Sequence, residues 1–241
     1  MEALKFTLKG KDAFFKMPEV NSYYYFTYGT IPKTALLGIF GAIMGYGGYG
    51  QHSRKEEKGS YPEYYERLQN LMVAIVPRKG SRGYFPKKVQ AFNNSTGYAS
   101  YEQGGNLIVK QQWLEEPEWE IYVLLTEKEA EKLADFMLGG RAVFLPYLGS
   151  NDHPAVIEGV SLIKLSEVED PEQIHSLFLE KKVLFDEPED VIPYKYTEYL
   201  PVGLEKSSQM YICEKITFTN LPVLSYEGTV YRDGKRNIVF F

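Results

Sequence analysis

Lysines and arginines interleaved with tyrosines are the residue types that hold single-stranded nucleic acid, cations meeting phosphates while rings stack on bases. This sequence concentrates both. Between Pro77 and Gln112 stand Arg78, Lys79, Arg82, Lys87, Lys88 and Lys110 against a single acid, Glu102. Tyr23, Tyr24, Tyr25, Tyr28, Tyr46 and Tyr49 flank the two ends of an apolar segment that begins near Pro32. Just before it, Gly29-Thr30-Ile31-Pro32-Lys33-Thr34 ends like a phosphate-binding loop. Pro32 stands where such a loop needs glycine and removes an N–H that phosphates would use, which argues against nucleotide hydrolysis. Lys33 and Thr34 still fall in the first turn of an expected helix, where unpaired N–H groups and the helix dipole favour a phosphate.

Groups for bond-breaking chemistry are scarce. A metal-independent ribonuclease needs a base beside a 2′-hydroxyl and a cation for the developing charge. His52, the histidine nearest the basic region, reads as a solvated loop residue; His153 sits in a turn-like Asn-Asp-His-Pro, and His175 in an acidic stretch. Cys213 has no histidine near it in sequence, so a thiol nucleophile is not expected. Three dispersed histidines and one cysteine rule out a disulfide scaffold and speak against a metal centre. No catalytic residue, metal or cofactor is expected.

The chain has 241 residues, 44% of them hydrophobic, which suffices for a packed core. Its net charge of −5 hides an asymmetry. Residues 1–113 carry fifteen basic and eight acidic side chains, net +7, and residues 114–241 carry twelve and twenty-four, net −12. A polarised protein of this kind suits a polyanionic partner on its basic half. The start of the chain lacks the apolar core of a signal peptide and no run reaches the roughly 18 apolar residues of a membrane span, so a cytoplasmic protein without membrane contact is expected.

These residues must be positioned by elements that the pattern outlines. Leu4, Phe6 and Leu8 alternate with Lys5, Thr7 and Lys9, a strand. Pro32 to Gly45 is helical and almost wholly apolar, hence buried, with Gly38, Ala42 and Gly45 as a small-residue ridge for close approach. A short helix is expected near Tyr64, and Leu71 to Val76 is a buried strand. Residues 77–112 are a long glycine-containing excursion, read as a projecting hairpin. Trp119 to Leu125 is a strand; Thr126 and Glu129 form a capping box for a helix from Glu127 to Leu138, stopped by Gly139-Gly140. Arg141 to Leu145 is expected as the next strand. The order β-α-β-β-α-β is the split βαβ arrangement of a ferredoxin-like domain. Beyond it come strands at Val156–Leu165 and Met210–Thr219 and a hairpin closing around Asp233-Gly234, with Glu167–Glu172 and Asp186–Asp190 as linkers.

The segment Ile31-Pro32-Lys33-Thr34-Ala35-Leu36-Leu37-Gly38-Ile39-Phe40-Gly41-Ala42-Ile43 resembles the N-terminal signature of the Cas-five family of CRISPR-associated RAMP proteins. Phe6, Leu8, Gly10, Ala13, Phe15, Pro18 and Asn21 fit that family's opening strand and loop, and Arg141 to Ile157 is similar to its type I-B variant. The resemblance implies an α+β chain: a ferredoxin-like (RRM/RAMP) domain over residues 1–148, with a long β-hairpin thumb inserted at 77–118, and a smaller β-rich region over 149–241. It also implies a non-catalytic CRISPR RNA-binding subunit of a Cascade antiviral complex, one that holds the guide RNA's 5′ handle and caps the Cas-seven filament. The large Cas-eight subunit would be a second neighbour, and target DNA would be met only indirectly. RNA contacts are expected from Asn21, Tyr23, Lys33, Thr34 and Tyr46 around the apolar helix and from Arg78, Lys87, Lys88, Asn94, Lys110 and Gln111 on the thumb. Lysines would neutralise phosphates, tyrosine would stack and amides would read base edges. A branch of the family in type I-C systems cleaves precursor CRISPR RNA with a tyrosine and an adjacent Lys-His pair. Tyr46 matches the tyrosine, but Lys110-Gln111 stands where the pair is needed, so processing would fall to a separate Cas-six endonuclease. A metal-independent endoribonuclease is the alternative.

Overall fold

The computed structural model describes residues 1–20, 23–53, 59–78, 80–186 and 192–241. The chain forms β1 (Glu2–Lys9), β2 (Asp12–Ala13), β3 (Tyr24–Tyr25), α1 (Lys33–Met44), α2 (Tyr49–His52) and α3 (Glu63–Leu68). There follow β4 (Val73–Pro77), β5 (Lys87–Asn93), β6 (Ile108–Glu115), β7 (Glu118–Leu124), α4 (Lys128–Leu138) and β8 (Val156–Lys164). The later strands are β9 (Ser166–Val168), β10 (Phe178–Leu179), β11 (Val183–Phe185), β12 (Lys195–Leu204), β13 (Tyr211–Thr219), β14 (Val223–Tyr226), β15 (Val230–Asp233) and β16 (Arg236–Val239). The result is a strand-rich α+β protein.

Alternation in β1 buries Leu4, Phe6 and Leu8 on one side of a four-stranded sheet and leaves Lys5, Thr7 and Lys9 on the other. The sheet order is β4-β7-β1-β8, with every neighbouring pair antiparallel. Each helical crossover therefore straddles a strand: β1-α1-β4 spans β7, and β7-α4-β8 spans β1. Both helices cover the face that carries Leu4, Phe6, Trp119 and Ile121, in one core cluster.

α1 is apolar enough to be buried on nearly every side, as its sequence requires. Pro32 sits at its N-cap, and Gly45 ends it in the left-handed region at φ 77°, a conformation that glycine adopts without a Cβ penalty. Close approach occurs at Gly41, where an added Cβ would lie 2.6 Å from Tyr64 of α3, and at Gly45 of the expected ridge, where it would lie 2.9 Å from Val143; at Gly38 there is open space. α4 buries Ala130, Leu133, Ala134 and Met137. Its expected capping box does not form. Glu127 is the N-cap, without a side-chain bond, and Glu129 instead accepts hydrogen bonds from the Tyr46 hydroxyl and from Arg67.

One strand moves. Arg141 to Leu145 pairs with no strand among the described residues, because the N–H groups of Val143 and Phe144 go to Ile43 O (2.9 Å) and Ala42 O (3.1 Å) at the end of α1. β8 takes the expected place beside β1, so the sheet continues past 148 to Lys164. The segment 167–172, expected as a linker, begins inside β9, while 187–190 of the second expected linker lie outside the described residues.

Part of the sheet's second face is covered as well. Ala3, Ala74, Val76, Tyr122 and Leu124 pack against Tyr231, Ile238 and Phe240 of the C-terminal hairpin β15–β16. Beside that apolar contact Lys5 is bonded to Asp233 (2.6 Å) and Lys9 to Glu158 (2.7 Å). β12 and β13 form a long antiparallel pair whose Leu200, Leu204 and Ile216 join the same core as α1. No helix is long and apolar enough to cross a membrane among the described residues.

Candidate nucleic-acid interface

The excursion between β4 and β7 is a hairpin, β5 paired antiparallel with β6 from Lys87↔Leu114 to Asn93↔Ile108. β6 is the better anchored strand. It also pairs antiparallel with β2 and parallel with β3, which sets Tyr24 beside Lys110 and Tyr25 beside Gln111. The Lys110 N–H donates to Tyr23 O at 3.1 Å. Tyr23 has φ 58°, uncommon for a side chain of this bulk, and the residue is 81% exposed. Lys16 places its ammonium 4.3 Å from the centre of the Tyr25 ring, and the Tyr24 and Phe26 rings lie 4.7 Å apart. The structure thus brings together Tyr23, Lys110 and Gln111, far apart in sequence, with Lys16, Tyr24 and Tyr25 beside them.

Register decides which cations share a side. Paired residues of a ladder face the same way, and neighbours along a strand face opposite ways. Lys87 and Lys110 therefore lie on one face of the hairpin, and Lys88 and Gln111 on the other. Lys87 and Lys88, both expected to contact RNA, therefore face opposite ways. Their ammonium groups also have protein partners. Lys87 Nζ donates to Thr27 O at 2.7 Å, and burial lowers its pKa from the ordinary lysine value, partly offset by Glu198. Lys88 Nζ lies 3.4 Å from Asp12 Oδ2 and above the Trp113 ring. Gln111 Oε1 accepts from Trp113 Nε1 at 2.9 Å.

Arg78 and Asn94 are exposed at the two ends of the hairpin. The Arg78 guanidinium lies 5.7 Å from the centre of the Phe85 ring at the base, while the Asn94 N–H bonds Leu107 O at 2.8 Å where the tip begins. Asn21 and Lys79 lie outside the described residues.

Lys33 and Thr34 do not belong to this surface. Both are buried, and Lys33 Nζ donates inward to Phe241 O at 2.9 Å; desolvation lowers its pKa to about 8. The loop before the helix is also closed to anions. The Gly29 N–H donates to Glu198 Oε2 at 2.9 Å, the Tyr196 hydroxyl donates to the same oxygen, and a Cβ on Gly29 would lie 2.8 Å from that hydroxyl. A carboxylate of β12 thus occupies the place where a phosphate would have to sit. Tyr46 is at the opposite end of α1. Its hydroxyl donates to Glu129 and accepts from Lys132 Nζ at 2.8 Å, with Arg67 4.7 Å and Lys132 4.5 Å from its ring centre. Those cations take up ring surface on which a base would stack.

Sequence reasoning missed five participants, three at the hairpin's base and two at its tip. Asp12 joins Lys88 to His153, whose Nδ1 it meets, and Trp113 packs edge-on against the same imidazole at 4.7 Å. His153 is therefore a buried bolt at the hairpin's base, where its sequence context suggested only a turn. No local signal joins residues 12, 113 and 153. At the tip Tyr98 and Tyr101 are 79% and 92% exposed around a single 3-10 turn, Ala99–Tyr101. Their spacing of three is the signal that was available, since such residues eclipse one another in this helix type. Among the described residues no cluster of His, Cys, Asp and Glu is placed to hold a metal ion.

No protein-family model and no curated protein matches the sequence. Solved structures share the fold at low identity. A chain described as a CRISPR RNA-guided surveillance complex superposes with a TM-score of 0.53 at 14% identity, over 92% of this chain and 91% of that one. A CRISPR protein from Archaeoglobus fulgidus gives 0.52 at 12% identity, over 100% of this chain and 98% of that one. The likeness spans nearly the whole of all three chains, so the C-terminal strands belong to the shared fold as much as the four-stranded sheet does.

Proposed function

We propose that this protein is a non-catalytic RNA-binding subunit of a type I, I-B-like, CRISPR surveillance complex, with its sheet and two crossovers read as the ferredoxin-like domain of the Cas-five family. On this reading it grips the 5′ handle of the guide RNA and caps a filament of Cas-seven subunits, with Cas-eight docked nearby. The observation that carries it is the pairing of β3 with β6, which sets the exposed Tyr23 beside the exposed Lys110. A splayed nucleotide needs a ring and a cation within reach, and these two side chains leave the backbone at bonded neighbours. The partly covered second face of the sheet supports the hairpin as the binding element, because a base-stacking platform of the RRM kind needs an open face.

Binding of a single-stranded RNA oligonucleotide, measured across salt concentrations, tests the reading. Lys110→Ala should reduce the slope of log affinity against log salt by about 0.7, the value for one phosphate contact on a single strand. Lys33→Met should leave that slope unchanged, since its ammonium is inside the protein. Absence of salt-dependent binding by the unaltered chain would remove the proposal.

A specific contact favours the rival. Tyr46 Oη is in hydrogen-bond contact with Lys132, so a tyrosine and a lysine do meet, although the lysine comes from α4. Incubating the protein with precursor RNA in EDTA separates the two readings, because site-specific cleavage belongs to the endoribonuclease alone.

A further inference from the structure

We propose that the strip from Val143 to Tyr147, with the cleft beside Phe144, docks a segment of a partner protein that brings apolar anchors followed by an arginine or lysine. The strip is a strand-forming run that no strand accepts. Val143 and Phe144 are half exposed and Leu145 is 89% exposed. It is nevertheless rigidly held. Two N–H groups bond the end of α1, Val143 would lie within 2.9 Å of a Cβ on Gly45, and the Ala155 N–H bonds Pro146 O at 3.0 Å. Pinned at both ends, these side chains are not able to turn into the core. A fixed apolar surface of this kind marks an interaction site, and unmet local preference in an otherwise consistent fold is expected where function resides.

Charge identifies the occupant. Phe144 is one wall of a cleft of about 490 Å³ that Tyr61, Glu63, Glu66 and Arg67 also line. Arg67 is already paired with Glu63 (3.1 Å) and Glu129 (3.2 Å), and Glu66 makes no ion pair among the described residues. Beside the strip, Arg141 is held by Asp135 at 2.6 Å. Among the described residues that line the cleft, Glu63 and Glu66 outnumber Arg67, and Glu66 is the carboxylate left without a cation. A phosphate backbone would be repelled there, whereas a guanidinium or ammonium is drawn in beside Glu66, with its apolar neighbours covering Leu145. Docking there does not depend on RNA binding by the hairpin.

The test uses the full chain and two short labelled peptides, one with leucine and phenylalanine anchors followed by arginine, the other with glutamate in place of the arginine. Fluorescence anisotropy should show the arginine peptide binding at least about tenfold more tightly. Glu66→Lys should abolish that preference, and Leu145→Asp should weaken the arginine peptide by at least about tenfold with an unchanged melting temperature. Equal binding of the two peptides, or indifference to both substitutions, overturns the proposal. So does competition by an RNA oligonucleotide, or sedimentation showing a dimer that Leu145→Asp dissociates, since these assign the surface to nucleic acid or to a second copy.

Discussion

A lysine ammonium inside a protein carries a desolvation penalty that a single carbonyl offsets only in part. Lys33 is in that position, buried at the start of α1 with Phe241 O as its acceptor, and its pKa falls from 10.5 to about 8. The direction sets the pH dependence. Below pH 8 the lysine is protonated in both folded and unfolded chains and the penalty stands in full. Between pH 8 and 10.5 the folded chain gives up the proton first, so the unfolded chain binds more protons and stability rises with pH. The whole gain is of order 3 kcal/mol. Urea unfolding at pH 7.5 and 9.5 should show this rise in the unaltered protein and a much smaller one in Lys33→Met, with the variant the more stable at pH 7.5. The upper pH stays below the tyrosine titrations, which act in the opposite sense where burial raises the pKa, as at Tyr64 and Tyr122. A slope that survives in Lys33→Met would place its origin elsewhere. Sequence alone suggested a phosphate ligand at Lys33 because helix starts attract anions. Burial of the helix was legible, but the inward turn of the ammonium was not, since its acceptor, Phe241 O, lies 208 residues away.

At the scale of elements, the hairpin's attachment rests on Asp12. Its two carboxylate oxygens meet His153 Nδ1 and Lys88 Nζ, so one side chain ties β2 and β5 to the loop that precedes β8. Asp12→Asn keeps the shape and removes the charge, which should cost about 1–3 kcal/mol in thermal or urea unfolding. The loss should be local as well: amide exchange should speed up in β6 and in residues 148–155 and stay slow in β1 and β7. Uniform acceleration would mean that the bond stabilises the core and not the hairpin. Elements with a strong internal pattern were legible: β1 by alternation, α1 by its apolar length with Gly45 behind it, and the β15–β16 hairpin by its Asp-Gly turn. β12 was not, because Pro201 and Gly203 interrupt its pattern where the ladder with β13 shifts register. Arg141 to Leu145 has the composition of a strand and lacks a partner, which no window of sequence reveals. In the candidate site, residue types were readable but facing was not, since the face on which Lys87 or Lys88 lies depends on a register set by β6.

For the molecule as a whole, helices on one face of the four-stranded sheet and the C-terminal hairpin on part of the other favour the projecting hairpin for any nucleic-acid contact, and the hairpin is itself divided. Its base and strands hold Arg78, Arg82, Lys87, Lys88 and Lys110, whereas the tip, residues 94–107, has Glu102 as its one charge. Tyr98 and Tyr101 project from that tip, and none of its residues joins a core cluster. Replacing 94–107 by Asn-Gly closes the ladder directly after the Asn93↔Ile108 pair with a two-residue turn suited to a hairpin. Because the tip buries nothing in the core, the melting temperature should stay within a few degrees of its original value. Removing it takes away no cation, so the salt slope of RNA binding should not change. Affinity should nevertheless fall at every salt concentration, by about 1–3 kcal/mol for each base that stacks on a tyrosine. A parallel fall in slope would mean that the cations of the strands were displaced along with the tip. Unchanged affinity would leave nucleic acid to the Tyr23–Lys110 junction and assign the two exposed tyrosines to a protein neighbour.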